Sequence, residues 1–374
     1  MRQVAVVTTG FFDGVHLGHR HVLERLVSSA RERGEEALVV TFWPHPRTVL
    51  QQDAREFRIL TTLEEKKALL LSAGVDRVEV IPFTRAFAAL TASEYLALLR
   101  DKYSASLVIM GYDNRIGSDR QMAVDMAAAS VAGAKGSGEL RSLRSLRPLP
   151  QSASSSPCDN SHLAGPSPCP SPGVDTSPDP SAPLRSGAAL PFVLVVDEFV
   201  TPDTSPVIPS TSPVIPSTSP VIPSEAKESI SSTQIRKALK AGDTHAANGM
   251  LGYRYSLYGA VVAGNRLGRT IGFPTANMQL YEPLKLVPGN GVYAVEAQVL
   301  DRTFRGMCNI GIRPTVGGTV RTIETHILDG FDEDIYGLPL RISFLRKIRD
   351  EIRFPSLDAL REQLLLDAAA ALSE

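Results

Sequence analysis

The sequence predicts an α/β domain with a parallel sheet, followed by a small β-barrel and a C-terminal helix. Three observations predict it. Over residues 1 to about 118, short apolar runs alternate with helical patterns, the rhythm that puts a parallel sheet between helices. From residue 255 onward the pattern is strand after strand with turn signals between, as in small barrels. Between them, from about 132 to 224, the chain is mostly rich in Ser, Pro, Gly and Ala.

Residues 4–7 read as a buried strand. Val22, Leu23, Leu26, Val27 and Ala30 then recur at helical spacing up to Gly34. Residues 37–42, 77–81 and 107–110 are the next strands, and 63–73 a helix. Thr91 and Glu94 form a capping box for a helix through Tyr103. The bias is strongest over about 132–191, and a strand-like run at 192–196 follows it. It precedes three near-copies of one unit, 205–211, 212–218 and 219–224. Two prolines in each remove backbone donors and block helix, so a disordered or extended, functionally neutral linker is expected. Order resumes at Ile230, with helices expected near 233 and over 244–251. Strand runs follow at 255–263, 291–300, 303–310, 322–328 and 338–345. Residues 356–372 form an amphipathic helix with Leu357, Leu360, Leu364 and Leu365 on one side. The expected division is 1–248, with an insertion at about 132–224, and 249–374.

The 374 residues, 43% of them hydrophobic, suffice for two or three cores. A net charge of -1 gives no nucleic-acid footprint. Cys158, Cys169 and Cys308 are odd in number and lack metal-ligand spacing. The first apolar run is too short for a signal-peptide core, and no apolar run approaches the ~18 residues of a membrane span. A cytoplasmic protein without membrane or nucleic-acid partners is expected, and a homo-oligomer is left open.

The turn after the first strand reads Gly10-Phe11-Phe12-Asp13-Gly14-Val15-His16-Leu17-Gly18-His19 and runs into a helix. Glycines let the backbone approach a ligand, and a helix start presents free N–H groups to phosphate. His16 and His19, one turn apart, can reach one phosphate. At the carboxyl end of a strand this is where open α/β sheets bind ligands. The string resembles the His-x-Gly-His signature of nucleotidyltransferases, and its longer form the FMN adenylyltransferase half of bacterial bifunctional riboflavin kinase/FAD synthetases. Phe11 stands where many members have Asn. Thr41-Phe42-Trp43-Pro44-His45-Pro46 fits the same family. Gly111 to Gly117 resembles its flavin-side loop, with Asn114 and Ile116 in place of aromatics. Ser231-Ser232-Thr233-Gln234-Ile235-Arg236 resembles its Ser-Ser-Thr-x-x-Arg phosphate motif. Alone, that motif is most often a helix cap. The resemblance implies a Rossmann-like fold for this half, ATP and phosphate contacts at Gly10, Phe12, Asp13, Gly14, Ser231, Ser232, Thr233 and Arg236, and flavin contact at Asp113. His16 and His19 would stabilise the α-phosphate, with Asp13 beside them orienting a histidine. The two phosphate motifs meet only if the insertion is extruded from the fold.

The β-rich region carries Gly264-Asn265-Arg266-Leu267-Gly268-Arg269-Thr270-Ile271-Gly272-Phe273-Pro274-Thr275-Ala276-Asn277. Gly264, Gly268 and Gly272 open backbone N–H groups to phosphate. Thr275 offers a hydroxyl and Asn277 a carbonyl oxygen to a metal. On the strand 322–328, Ile323, Thr325 and Ile327 share one face, and Glu324 and His326 the other. Glu324 there can accept a hydroxyl proton; His326 reads as an ordinary strand residue. Gly-x-Pro-Thr-Ala-Asn closely resembles the flavokinase signature. The family resemblance implies a six-stranded barrel with Glu324 as catalytic base and flavin contacts at Asn309 and Arg349. It covers nearly all of 249–374, together with about 1–118 and 230–248.

The resemblance implies riboflavin to FMN at the second site and FMN to FAD at the first, with ATP as co-substrate and Mg²⁺ as cofactor. Two other readings stay open: a riboflavin kinase whose first half the insertion impairs, and a flavin-binding protein without activity.

Overall fold

The computed structural model describes residues 3–50, 57–111, 114–123, 125–126, 192–196, 230–264, 268, 271–315, 318–328, 331 and 333–373. Strands β1 (Ala5–Thr9), β2 (Glu36–Trp43), β3 (Arg77–Pro82) and β4 (Ala105–Gly111) are parallel neighbours in the order β3-β2-β1-β4. β5 (Arg115–Ile116) and β6 (Gln121–Met122) make a short ribbon, and β7 (Phe192–Val196) adds a fifth strand beyond β4. The run at 192–196 is thus an integral strand inside the stretch assigned to the insertion. The three repeats, Asp113, Cys158 and Cys169 lie outside the described residues.

Alternation along β1 sorts its side chains onto two faces. Val6 packs with Leu23, Leu26 and Leu70 under α1 (Leu17–Arg33) and α3 (Leu63–Ser72), with α2 (Pro46–Leu50) between them in sequence. Val7 packs with Leu96 and Leu99 of α5 (Ala92–Tyr103), which follows the one-turn α4 (Arg85–Ala88). The Thr91 capping box is present with both of its bonds. Chain order runs outward from β1 to β3 and then returns to β4 on the far side. The carboxyl end of β1 is therefore the topological switch point where such sheets bind ligands.

Helices α6 (Ser232–Ala241) and α7 (Thr244–Leu251) send Ile235, Leu239, Ala247 and Leu251 into the barrel's hydrophobic core. Leu60 of the first half joins them there. The barrel strands are β8 (Ser256–Val262), β9 (Ala276–Leu280), β10 (Gly291–Val299), β11 (Arg302–Thr315), β12 (Gly318–Ile327) and β13 (Pro339–Arg349). They close in the order β10-β11-β12-β9-β8-β13. Five of the six coincide with apolar runs in the sequence. β9 was hidden because it begins inside Pro-Thr-Ala-Asn, which reads as loop. Helix α8 (Leu357–Leu372) packs through Leu360, Leu364, Asp367 and Ala371. Leu357 and Leu365, expected on that face, are 52% and 58% exposed. Buried Asp367 sets the rotation of the helix by pairing with Arg349.

The halves are joined by backbone. Ile59 N–H donates to Leu284 O at 2.9 Å, and Leu286 N–H donates to Ile59 O at 2.9 Å. Beside this bridge Lys285, 4% exposed, pairs with Glu65, 15% exposed. Removing one member of a buried pair leaves an uncompensated charge. Lys285→Met is expected to lower the unfolding free energy by about 3 kcal/mol, and the Lys285→Met/Glu65→Gln double variant to recover part of that loss. Urea unfolding of the three proteins measures both; a double variant as unstable as the single would show the charge pair is not the cause.

Candidate active sites

The first site is the turn from β1 into α1. His16 is the N-cap of α1, with an extended backbone and its Nδ1 accepting from His19 N–H at 3.3 Å. The two rings stack with centroids 3.6 Å apart and 16° between planes. Phe12 meets His19 edge-on at 5.2 Å. Phe12 and Val15 adopt positive φ of 46° and 38°, a conformation uncommon for side-chain-bearing residues and concentrated at functional turns. His19 Nδ1 is buried without a hydrogen-bond partner among the described residues. An orphaned polar atom in this position suits a ligand contact.

Asp13 does not orient a histidine. Its carboxylate accepts from Leu60 N–H and Thr61 N–H at 3.0 Å each and from the Thr61 hydroxyl at 3.2 Å, and it pairs with Arg236. Arg236, expected to clamp phosphate, also donates to Arg58 O at 2.9 Å and lies over the Phe57 ring. Gly10 N–H donates to Val40 O and Gly14 N–H to Thr61 Oγ1, each at 3.1 Å, so these amides anchor the turn instead of facing phosphate. Ser231 caps α6 in a box with Gln234. Ser232 donates to Asp13 O at 2.8 Å, while Thr233 is exposed. The starts of α1 and α6 nevertheless meet: a Cβ on Gly18 would lie 3.6 Å from Ile230 O. The two phosphate motifs, remote from each other in sequence, converge as the resemblance required.

Three groups of this site lay outside the predicted set. His45 is sandwiched by Phe57 and Phe11, centroids 4.4 and 5.3 Å away. Lys66 is 4% exposed and donates to Phe11 O at 3.0 Å. Thr61 holds Asp13 and Gly14. His45 was legible in the Pro-His-Pro segment; Lys66 and Thr61 look like ordinary helix-start residues until the fold brings them in. Burial pushes His16 and His45 down to about 4 and Lys66 to about 8, against an upward pull from Asp13 in each. Burial, then the His16 and Lys66 charges, holds His19 well below its usual value.

The second site is a barrel cavity of about 280 Å³. Register makes it. Asn277 pairs with Glu324, Glu324 with Asn309, Asn309 with Val292, and Val292 with Arg349. Directly paired residues project to the same face, so one row crosses five strands. All five line the cavity with Gly268 and Thr275. Burial along β12 follows the expected alternation, with Ile323, Thr325 and Ile327 buried. Met307, Phe273, Phe354, Leu360 and Leu364 add apolar walls. His326, expected to be an ordinary strand residue, also lines the cavity and donates from Nδ1 to Pro274 O at 2.7 Å, pinning the Pro-Thr-Ala-Asn strand. Burial lowers its pKa.

Arg349, expected to contact the flavin, lines the cavity and is also engaged in an ion pair. Its guanidinium forks onto Asp367 at 2.7–3.0 Å and lies over the Phe354 ring. It anchors α8 beside the cavity. Gly264 backs directly onto Asn277: a Cβ would come within 2.2 Å of the Asn277 side chain. A Cβ on Gly268 would strike Phe273 O at 2.1 Å. Gly272 has φ of 85° and is exposed, and a Cβ there would meet no atom within 4 Å.

A parallel sheet with a His-x-Gly-His turn at its switch point, joined to a closed barrel with a Thr/Asn/Glu cavity, defines a two-site nucleotidyl and phosphoryl transferase. Residues 1–155 match the FAD synthetase family model and residues 251–373 the riboflavin kinase model. The chain is 32% identical over 368 residues to the bifunctional riboflavin kinase/FMN adenylyltransferase of Escherichia coli strain K12, covering 98% of this chain and 91% of that protein. It is 29% identical to that of Bacillus subtilis strain 168, covering 98% and 92%. The crystal structure of a macrolide-efflux protein from Streptococcus pneumoniae superposes with a TM-score of 0.71 at 26% identity, covering 100% of this chain and 95% of that one. Among the described residues no helix is long and apolar enough to cross a membrane. The chain belongs to the bifunctional riboflavin kinase/FMN adenylyltransferase family, enzymes of FAD biosynthesis, and carries both of its domains.

The depressed histidines set a pH dependence. An imidazole held near 4 stays neutral in the folded protein, while its unfolded counterpart binds a proton below about pH 6.5. Between these values the unfolded state holds more protons, so stability falls as pH falls from about 6.5 toward 4. The melting temperature of the ligand-free protein is expected to drop across this window. His16→Asn, which keeps a capping side chain, should flatten the drop, by up to about 1.4 kcal/mol per pH unit. A variant profile parallel to wild type would remove His16 as a source.

Proposed function

We propose that the barrel cavity phosphorylates the riboflavin 5′-hydroxyl with ATP, and that the His16–His19 turn adenylylates the resulting FMN to FAD. The observation that carries this is the row Asn277–Glu324–Asn309 across three adjacent strands, walled by apolar side chains that suit a flavin ring. In the first step the Glu324 carboxylate accepts the 5′-hydroxyl proton as that oxygen attacks the γ-phosphorus, and ADP leaves. In the second an FMN phosphate oxygen attacks the ATP α-phosphorus and pyrophosphate leaves. No covalent intermediate is needed, so positioning and charge stabilisation are the protein's task. His19, with its unpartnered nitrogen, and His16 stacked on it are the groups for the α-phosphate.

The donor set fits Mg²⁺ at the kinase site. Thr275 and Asn277 supply hard oxygen ligands in the same cavity as Glu324, and Mg²⁺ is held by few protein groups together with substrate phosphates and water. The described residues contain no cluster of three or more His, Cys, Asp or Glu that would make a preformed cage. When bound, the ion neutralises developing phosphate charge; Asn277, held against Gly264, keeps its amide in place.

Incubation with riboflavin, ATP and Mg²⁺, with flavins resolved by chromatography, tests the assignment. Wild type is expected to yield FMN and then FAD. Glu324→Gln should reduce FMN formation by about 10²–10⁴-fold and leave FMN-to-FAD conversion intact. His19→Ala should do the reverse. Loss of both activities in either folded variant would refute two independent sites, and FMN alone from wild type would leave a kinase only. Deleting residues 203–224 should leave both rates near wild type; a large loss of either would show that the repeats are not a neutral linker.

A further inference from the structure

A third concavity lies where the two halves meet, apart from the barrel cavity and bordering the first site through Thr61 and Tyr253. It encloses about 790 Å³, within the usual range for small-molecule pockets. One wall is the start of α3; the other is barrel surface from β8, β13 and the loop after β9. Tyr258 and Tyr281 are 40% and 56% exposed, yet hold each other edge to face with centroids 5.0 Å apart. The Arg341 guanidinium lies over Tyr258 at 4.9 Å. Two large rings fixed by each other and by a cation, and still open to solvent, form a stacking surface with little flexibility to lose.

The polar side of the cleft is incomplete. Glu65 Oε2 accepts from Thr62 N–H at 2.9 Å and pairs with Lys285. Glu65 Oε1 is buried with no hydrogen-bond partner among the described residues; Arg341 Nη1 forms an ion pair with it at 3.9 Å, beyond hydrogen-bond reach. A buried carboxylate oxygen without a donor is costly and marks a place for one. The charges do not suit a polyphosphate: Lys285 and Arg341 are offset by Glu64, Glu65 and Glu282 in the same lining.

We infer that this cleft binds an uncharged planar heterocycle, stacked on one ring of the Tyr258–Tyr281 pair with its edge against the other, and donating an N–H to Glu65 Oε1. Riboflavin and adenosine both carry that chemistry. The cleft also touches the adenylyl-transfer site: Thr61 of its wall holds Asp13, and Tyr253 donates to Gly14 O at 2.7 Å.

The test is calorimetric titration of the full chain with riboflavin alone and adenosine alone, for wild type, Tyr258→Ala, Tyr281→Ala and Tyr258→Phe. One of the two ligands is expected to show a class of sites that either alanine variant weakens by about tenfold or more, the loss expected for removing a stacking ring. Tyr258→Phe should keep it, and ligand-free melting of all variants should match wild type. Which ligand responds identifies the source. If both ligands bind every variant as they bind wild type, or neither binds beyond the catalytic sites, the inference is overturned. The readout is binding, so it stands or falls separately from either catalytic activity.

Discussion

The Asp13 carboxylate is the contact on which the arrangement of both halves depends. It sits in the turn after β1 and gathers three chain segments that are remote in sequence. Leu60 and Thr61 donate to it from the segment that goes on to bridge the barrel, and Arg236 reaches it from α6. Ser232 binds the Asp13 backbone carbonyl from the same helix. Both charged partners are nearly buried, with side chains 7% and 13% exposed, so neither can be removed without stranding the other. The pair thus holds the turn that presents His16 and His19, the start of α6, and the route by which Leu60 enters the barrel core. Electrostatics here performs a positioning task for which hydrophobic packing lacks the direction.

This explains which parts of the architecture were legible in sequence. β1, α1, α3 and α5 are written in local periodicity and caps, and each appears where its pattern places it. β9 was illegible because its pairing partners, Glu324 and Thr325, lie far along the chain and its own residues spell a loop. The catalytic motifs were visible as strings, but their division of labour was not. Asp13, Arg236 and Arg349 look like ligand contacts in sequence and are engaged in ion pairs in the fold. Lys66 and Thr61 look incidental and sit inside the first site. A charged residue's partner is a tertiary fact that spacing does not carry.

The two sites are built in different ways. The barrel site is a consequence of register: once β9, β12 and β11 pair, Asn277, Glu324 and Asn309 stand in line on one face. Strand pairing is stiff, and His326 bonded to Pro274 O and Arg349 forked onto Asp367 pin its two flanks. The proposed adenylyl site is made from turns and helix starts, with Phe12 and Val15 in the positive-φ region. Such a site depends on its neighbours to stay formed, which is why the Asp13 contacts matter to it more than any equivalent does to the barrel.

The state of His16 follows from the same geometry. Its Nδ1 accepts the His19 N–H, so the single proton of the neutral ring resides on Nε2. Burial holds its pKa at about 4. Adding a second proton at pH 7 would therefore require about 4 kcal/mol and would also break the helix cap by turning its acceptor into a donor. In the ligand-free protein at pH 7 the turn therefore presents a neutral N–H donor on His16, not an imidazolium. The positive charge acting on His16 comes from elsewhere: from Arg236, which adds to the lowering of its pKa, and from the start of α1. The histidine pair is held by stacking and capping in the ligand-free protein, so its hydrogen-bonding groups are preorganised.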